Sequence, residues 1–186
     1  MSRAKAGAET VLVTSPGRRE GKTFTAVGLA ASLADRTGLP TVLVDANPHD
    51  AAVLAHFGVE SSPGLSDYLE RRATLPDVLL EVEASTLRVL PAGMRSGPEL
   101  RAHFSVRDAV ARLREIFPGC FIIVDGPSVL AGPEALELCE LADSILLVVR
   151  GESTREAELV SSLRLLGPAP VVGLVYNEGP RSSRAG

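Results

Sequence analysis

Lys22 and Thr23 close the stretch Ser15-Pro16-Gly17-Arg18-Arg19-Glu20-Gly21-Lys22-Thr23, which follows the apolar run Val11-Leu12-Val13 and precedes an apolar helical pattern. A glycine-containing loop between a strand and a helix is suited to cradling phosphates. Its backbone amides and the positive pole of the helix face the anion, and the lysine adds a point charge. Thr23 then offers a hydroxyl to Mg²⁺. Two further runs, Val42-Leu43-Val44-Asp45 and Phe121-Ile122-Ile123-Val124-Asp125, each end in a carboxylate. In an α/β sheet the carboxyl ends of strands form the ligand-binding edge, so Asp45 and Asp125 are candidate supports for a phosphate-bridging cation.

The chemistry indicated is binding of a nucleoside triphosphate together with Mg²⁺. The full phosphate-loop pattern asks for glycine five residues before Gly21, where this chain has Pro16, with Gly17 one place late. Only the Gly-Lys-Thr half is intact. The expected nucleotide contacts are Gly17, Arg18, Arg19, Glu20, Gly21, Lys22, Thr23 and Phe24, and the expected metal group is Thr23, Asp45 and Asp125. Arg19 and Glu20 occupy loop positions where small residues are usual, although two arginines suit an anion.

The elements that must position these residues read as one α/β domain, a three-layer sandwich with a mostly parallel sheet and helices on both faces. Strands are expected near 10–14, 41–45, 87–90, 120–125, 144–149 and 171–176. The first helix is expected from Thr23 to about Arg36, with Phe24, Val27, Ala30, Ala31 and Ala34 facing inward and Gly38 as its stop. Gly28 costs about 1 kcal/mol relative to alanine, for which close packing on the sheet is the expected compensation. A helical insertion at about 48–86, with pieces Ala51–Phe57, Leu65–Arg71 and Leu75–Leu80, is placed to gate the site. Later helices are expected over Glu99–Phe117 and Ser153–Leu166, the second opened by a Ser153/Glu156 capping box. Residues 1–9 and 179–186 are expected to fray around a domain at 10–178.

A chain of 186 residues can bury about 70% of its unfolded surface in one core. The net charge of −4 gives no basic footprint, so nucleic acid is not an expected partner. No apolar stretch approaches the roughly 20 residues of a membrane span, and Met1 to Thr10 lacks a signal-peptide core, which predicts a cytoplasmic protein. Cys120 and Cys139 are expected as buried, reduced thiols. His49, His56 and His103 are scattered and suggest no shared metal cluster.

Together, Thr14 to Ala30, Val42 to Asp45, Pro63-Gly64-Leu65-Ser66-Asp67, Leu90-Pro91-Ala92-Gly93, Asp125-Gly126-Pro127 and Val172-Gly173-Leu174-Val175-Tyr176-Asn177 resemble the bacterial tyrosine kinases of capsule and exopolysaccharide loci. The likeness spans nearly the whole chain. It implies a P-loop NTPase fold akin to MinD and ParA, turned to transfer of the γ-phosphoryl of ATP to tyrosine. By the same resemblance, Lys22 serves the phosphates, Asp45 helps activate the acceptor or hold Mg²⁺, Asp125 supports the metal, and Asn177 lies near the base. A membrane polysaccharide co-polymerase or chain-length regulator is the implied partner, which would bring the protein to the inner face of the membrane.

Three departures separate the chain from that pattern. The family usually has a second aspartate two residues after the one matching Asp45, where this chain has Asn47, with Asp50 the nearest substitute. A missing unit charge at about 4 Å and an effective dielectric near 20 is worth up to about 4 kcal/mol. The only tyrosines are Tyr68, read as a packing residue, and Tyr176, read as the end of a core strand. The family's N-terminal ring-forming segment has no counterpart ahead of the first strand, which leaves homo-oligomer formation open. The expected function is therefore a tyrosine kinase, with a catalytically weak or inactive nucleotide-dependent regulatory module as the alternative and a MinD/ParA-like ATPase third.

Overall fold

The computed structural model describes residues 9–47, 52–93, 103–151 and 153–179. Short apolar runs form seven strands: β1 (Glu9–Thr14), β2 (Thr41–Asp45), β3 (Leu80–Glu81), β4 (Leu87–Leu90), β5 (Phe121–Asp125), β6 (Ser144–Arg150) and β7 (Val171–Asn177). They make one sheet in the order β3-β4-β2-β5-β1-β6-β7, parallel throughout except for β3. The helices are α1 (Lys22–Thr37), α2 (Leu65–Leu69), α3 (Leu75–Val78), α4 (His103–Ile116), α5 (Glu134–Cys139) and α6 (Glu156–Leu166), with 3₁₀ turns at Leu54–Phe57 and Val129–Ala131. This is the three-layer P-loop NTPase architecture.

Side chains alternate across each strand, so the inner strands feed two cores. On one face Leu12, Val42, Val44, Ile122, Val124, Ile145 and Leu147 meet Leu113 of α4, Leu138 of α5 and Leu166 of α6. On the other, Val13, Leu43, Ile123 and Val148 meet Ala26, Ala30 and Ala34 of α1. All five residues of β2 are buried, as a central parallel strand requires.

All six expected strands are present, and Gly38 stops α1 with φ 64°, its N–H donating to the Ala34 carbonyl at 3.1 Å. The inward face of α1 is as expected at Val27, Ala30 and Ala34 and differs at Phe24 and Ala31. Lys22, Ala26, Ala30 and Ala34 form its buried row, whereas Phe24 is 68% exposed and Ala31 faces solvent. Small alanines let the helix lie close to the sheet but contribute little apolar signal, so the large Phe24 misdirects the periodicity. Gly28 is exposed, and a Cβ there would meet nothing within 4 Å, so close packing does not explain it.

Within the insertion, the helical pieces are shorter than expected and the segment ends in β3, a strand of two residues. The segment is pinned to the end of β4, where Leu65 and Ser66 donate backbone N–H groups to the carbonyls of Pro91 and Ala92 at 2.7 and 2.9 Å. Helix α6 starts at Glu156, and the Glu158 carboxylate accepts from the Arg155 N–H at 3.1 Å. The Ser153/Glu156 box is not formed, because Ser153 and Thr154 turn back onto the Arg150 carbonyl at 3.3 and 2.9 Å. Tyr68 is partly buried against the core as expected. Tyr176 is 61% exposed, because β7 is an edge strand whose outward face nothing covers among the described residues. Asp50, residues 99–102, the first eight residues and the tail from 180 lie outside the described residues.

Candidate functional site

The chain leaves β1 at Thr14 and crosses the carboxyl edge of the sheet before entering α1. Thr14 Oγ1 donates to the Pro127 carbonyl at 2.6 Å, Val129 N–H to the Ser15 carbonyl at 2.8 Å, and Leu130 N–H to the Pro16 carbonyl at 3.2 Å. These bonds strap the start of the loop to the segment that follows β5. The loop reaches α1 through Gly21, which has φ 94° and sits so close to β7 that a Cβ would fall 2.1 Å from Asn177 Nδ2. Only glycine satisfies both conditions. Arg19 also adopts a left-handed conformation, with φ 60°, at one of the positions where a small residue is usual.

Parallel pairing sets the two aspartates side by side, Asp45 opposite Asp125, with Val13 of β1 opposite Asp125 on its other side. Both carboxylates are buried. Thr23, in the first turn of α1, donates its hydroxyl to Asp125 Oδ2 at 2.6 Å. Asp45 accepts backbone N–H groups from Asn47 at 3.3 Å and Val53 at 3.4 Å. The expected metal group thus converges from three elements.

Above this edge, Arg18, Arg19, Lys22, Asn47, Pro127, Ser128 and Ala131 line a cavity of about 150 Å³. Three cations around it, with no carboxylate among the described residues of its wall, suit polyanionic oxygens. It is smaller than the roughly 300–1,000 Å³ of a complete small-molecule pocket, so it is sized for phosphoryl groups with the rest of a nucleotide outside it. A larger cavity of about 670 Å³ lies at the opposite, amino edge of the sheet and carries Asp35, Glu81 and Glu83 with Arg88. Its acidic lining is the wrong sign for phosphate.

The donor set fits the expected cofactors. Hydroxyl and carboxylate oxygens at Thr23, Asp125 and Asp45 are hard ligands of the kind Mg²⁺ prefers, and they are few, as befits an ion that keeps waters and phosphate oxygens. Among the described residues no group of three or more His, Cys, Asp or Glu side chains is placed to hold a metal by itself.

Asn177, at the end of β7, donates Nδ2 to the Glu20 carbonyl at 3.1 Å. Of the expected nucleotide contacts, Arg18, Arg19 and Lys22 line the cavity, and the side chains of Phe24 and Glu20 are directed elsewhere. Phe24 points to solvent, with its ring 6.4 Å from that of His56. The Glu20 side chain is buried and turned away, toward Gly17 and Thr154. Asn47, Ser128 and Ala131 line the cavity without having been expected to. The sequence signals for the last two were slight, because they follow Asp125 in an irregular segment with no periodicity.

No family model matches the chain. It is 30% identical over 151 residues to tyrosine-protein kinase CpsD of Streptococcus pneumoniae, covering 79% of this chain and 65% of that protein. It is 25% identical over 177 residues to tyrosine-protein kinase ptk of Acinetobacter johnsonii, covering 93% of this chain and 24% of that one. The chain thus spans from about a quarter to just under two thirds of the length of these relatives. Among solved structures, the VpsO kinase domain superposes with a TM-score of 0.83 at 28% identity, over 91% of this chain and 84% of that one. The kinase domain of Escherichia coli tyrosine kinase ETK gives 0.82 at 21% identity, over 98% and 72%. A chain of the MinC:MinD cell division complex of Aquifex aeolicus gives 0.73 at 22%, over 91% and 67%.

Proposed function

We propose, on the premise that the chain is a sequence relative of the bacterial tyrosine kinases and carries the P-loop NTPase fold of their kinase domains, that it binds Mg·ATP at the carboxyl edge of its sheet and transfers the γ-phosphoryl group to tyrosine. The observation that carries this reading is the Thr23–Asp125 hydrogen bond of 2.6 Å beside a cavity lined by Lys22, Arg18 and Arg19. In such transfer the protein contributes positioning and charge stabilisation rather than covalent chemistry. Lys22, Arg18 and Arg19 would hold phosphate oxygens with the amides at the start of α1. Thr23, Asp125 and Asp45 would hold Mg²⁺, which when bound supplies neutralisation of the phosphate charge. Asp45, at the same level as Asp125, would also orient the acceptor hydroxyl. Asn177, beside the loop at the end of β7, would lie near the base, where its amide oxygen would accept from the exocyclic amine of adenine.

The biological setting proposed is exopolysaccharide or capsule synthesis or export, with a membrane polysaccharide co-polymerase as partner. No helix among the described residues is long and apolar enough to cross a membrane, and the localisation proposed is the inner face of the membrane, reached through that partner. The test is incubation of the purified chain with labelled ATP and Mg²⁺, alone and with a tyrosine-containing partner peptide. Label on tyrosine that is absent with Lys22→Ala supports transfer, and no label with any acceptor rejects it. Intact-mass analysis detects self-labelling and peptide mass analysis locates it, with Tyr176 the more accessible of the two tyrosines.

Asn47 favours a second reading. It is buried in the wall of the cavity, where the related kinases usually carry a carboxylate. A chain that binds ATP there without transferring phosphate would be a regulatory module that reports nucleotide occupancy. Asn47→Asp discriminates the two: gain of tyrosine labelling in the variant over a silent parent identifies a weakened kinase site used for binding. A MinD/ParA-like ATPase shares the fold, but positions 15 to 20 hold no lysine, and turnover of ATP with no protein label would be its signature.

A further inference from the structure

Glu20 is a carboxylate inside a phosphate-binding loop, where an exposed negative charge would oppose the ligand. Its side chain is only 3% exposed and is turned away from the cavity. One carboxylate oxygen accepts the Gly17 N–H at 2.8 Å and the other accepts the Thr154 hydroxyl. Thr154 is itself fixed, since its Oγ1 accepts the Arg150 N–H at 2.8 Å. Neighbouring bonds run between the same elements: Arg150 donates to the Arg19 carbonyl at 3.2 Å, and Asn177 donates to the Glu20 carbonyl at 3.1 Å. Residues 17 to 21 are therefore held from the side by the end of β6, the turn before α6 and the end of β7.

We infer that Glu20 is a positioning residue: its carboxylate bridges the Gly17 amide and the Thr154 hydroxyl, and so holds the phosphate loop in its anion-receiving shape without touching the nucleotide. This rests on the ATP-binding reading above. The bridge explains how a loop that lacks the usual early glycine keeps its curvature. The carboxylate closes the loop across residues 17 to 20, and Arg19 is left at the apex with its side chain on the cavity. It also makes Thr154, which lies outside the loop and outside the cavity wall, a determinant of phosphate binding.

The full chain is assayed as wild type, Glu20→Ala, Glu20→Gln, Thr154→Val and the Glu20→Ala/Thr154→Val double variant. Each is titrated with Mg·ATP by calorimetry, and each is followed without nucleotide by amide hydrogen exchange over residues 17 to 21. Loss of a charge-assisted hydrogen bond predicts that Glu20→Ala weakens Mg·ATP binding about tenfold or more and Thr154→Val somewhat less. The double variant should be no worse than Glu20→Ala, because both changes break one bridge. Exchange over 17 to 21 should rise in all three. Glu20→Gln should bind within about threefold of wild type, since its amide still accepts from Gly17 and reaches Thr154. Equal affinities in all variants with wild type binding normally would overturn the bridge alone. Additive losses in the double variant would overturn it too, as would tighter binding by Glu20→Ala, which would show the carboxylate competing with phosphate for the Gly17 amide. A wild type that does not bind Mg·ATP would remove the nucleotide reading itself and the positioning role with it.

Discussion

The hydroxyl of Thr23 and the carboxylate of Asp125 meet at 2.6 Å, joining the first turn of α1 to the last residue of β5. A cation sharing these oxygens would be sensed by both elements at once. Removing either group should therefore uncouple nucleotide binding from metal. Calorimetric titration with and without Mg²⁺ is expected to show metal-enhanced affinity in the wild type and little enhancement in Thr23→Val or Asp125→Asn. Phosphoryl transfer should fall about 100-fold or more in either variant, and chelation of Mg²⁺ should reduce the wild type to the same level. Unchanged metal dependence would separate these residues from the cation.

Arg19 holds φ 60° with its side chain on the phosphate cavity. A left-handed non-glycine residue costs roughly 1–2 kcal/mol, and glycine returns part of that gain through its freer unfolded chain. Arg19→Gly should therefore stabilise the fold by about 0.5–1 kcal/mol while weakening ATP binding severalfold, a trade of stability against function. Thermal unfolding and calorimetry on one preparation check both signs.

The strands were legible because a parallel sheet covered on both faces writes itself as unbroken apolar runs, and Val42 to Asp45 or Phe121 to Asp125 admit little else. The placement of Asp45 beside Asp125 was legible for the same reason, since each aspartate closes such a run. What escaped was local. Leu80 and Glu81 are too few to show alternation, so β3 was hidden in the insertion. On helix α1 the sequence predicts Val27, Ala30 and Ala34 correctly but wrongly turns Phe24 and Ala31 inward, because the buried row is alanine apart from Lys22 and gives a weak apolar signal. The inward turn of Glu20 depends on Thr154, a partner remote in sequence that no spacing rule connects to it.

Gly28 sits mid-helix on the solvent side of α1 with open space around its Cα. Gly28→Ala should raise stability by about 1 kcal/mol and the unfolding midpoint by a few degrees. Chemical denaturation with an unchanged m-value checks it, and destabilisation would mean that something packs against this face.

Burial pushes the Cys139 thiol up from 9.0 to about 11, and its Sγ lies 3.0 Å from the Ala135 carbonyl, to which it donates. Burial raises Cys120 as well. In both, the folded state retains its proton longer than the unfolded chain does. For Cys139 that contribution to stability is complete below the unfolded value and is lost as pH rises from about 9 through about 11. Unfolding free energy should decline over that window, with a shallower slope in Cys139→Ala. At pH 8 the native protein should resist thiol alkylation at both positions until it is unfolded.

Asp45 and Asp125 are neighbours only because β2 and β5 lie side by side, although β3, β4 and α4 intervene along the chain. Collapse of the amino-terminal half alone would create no working centre, since Asp125, one of the three expected metal ligands, arrives with a strand far along the chain. Recovery of ATP binding during refolding should consequently lag behind the return of helical signal and keep pace with closure of that one long-range pairing.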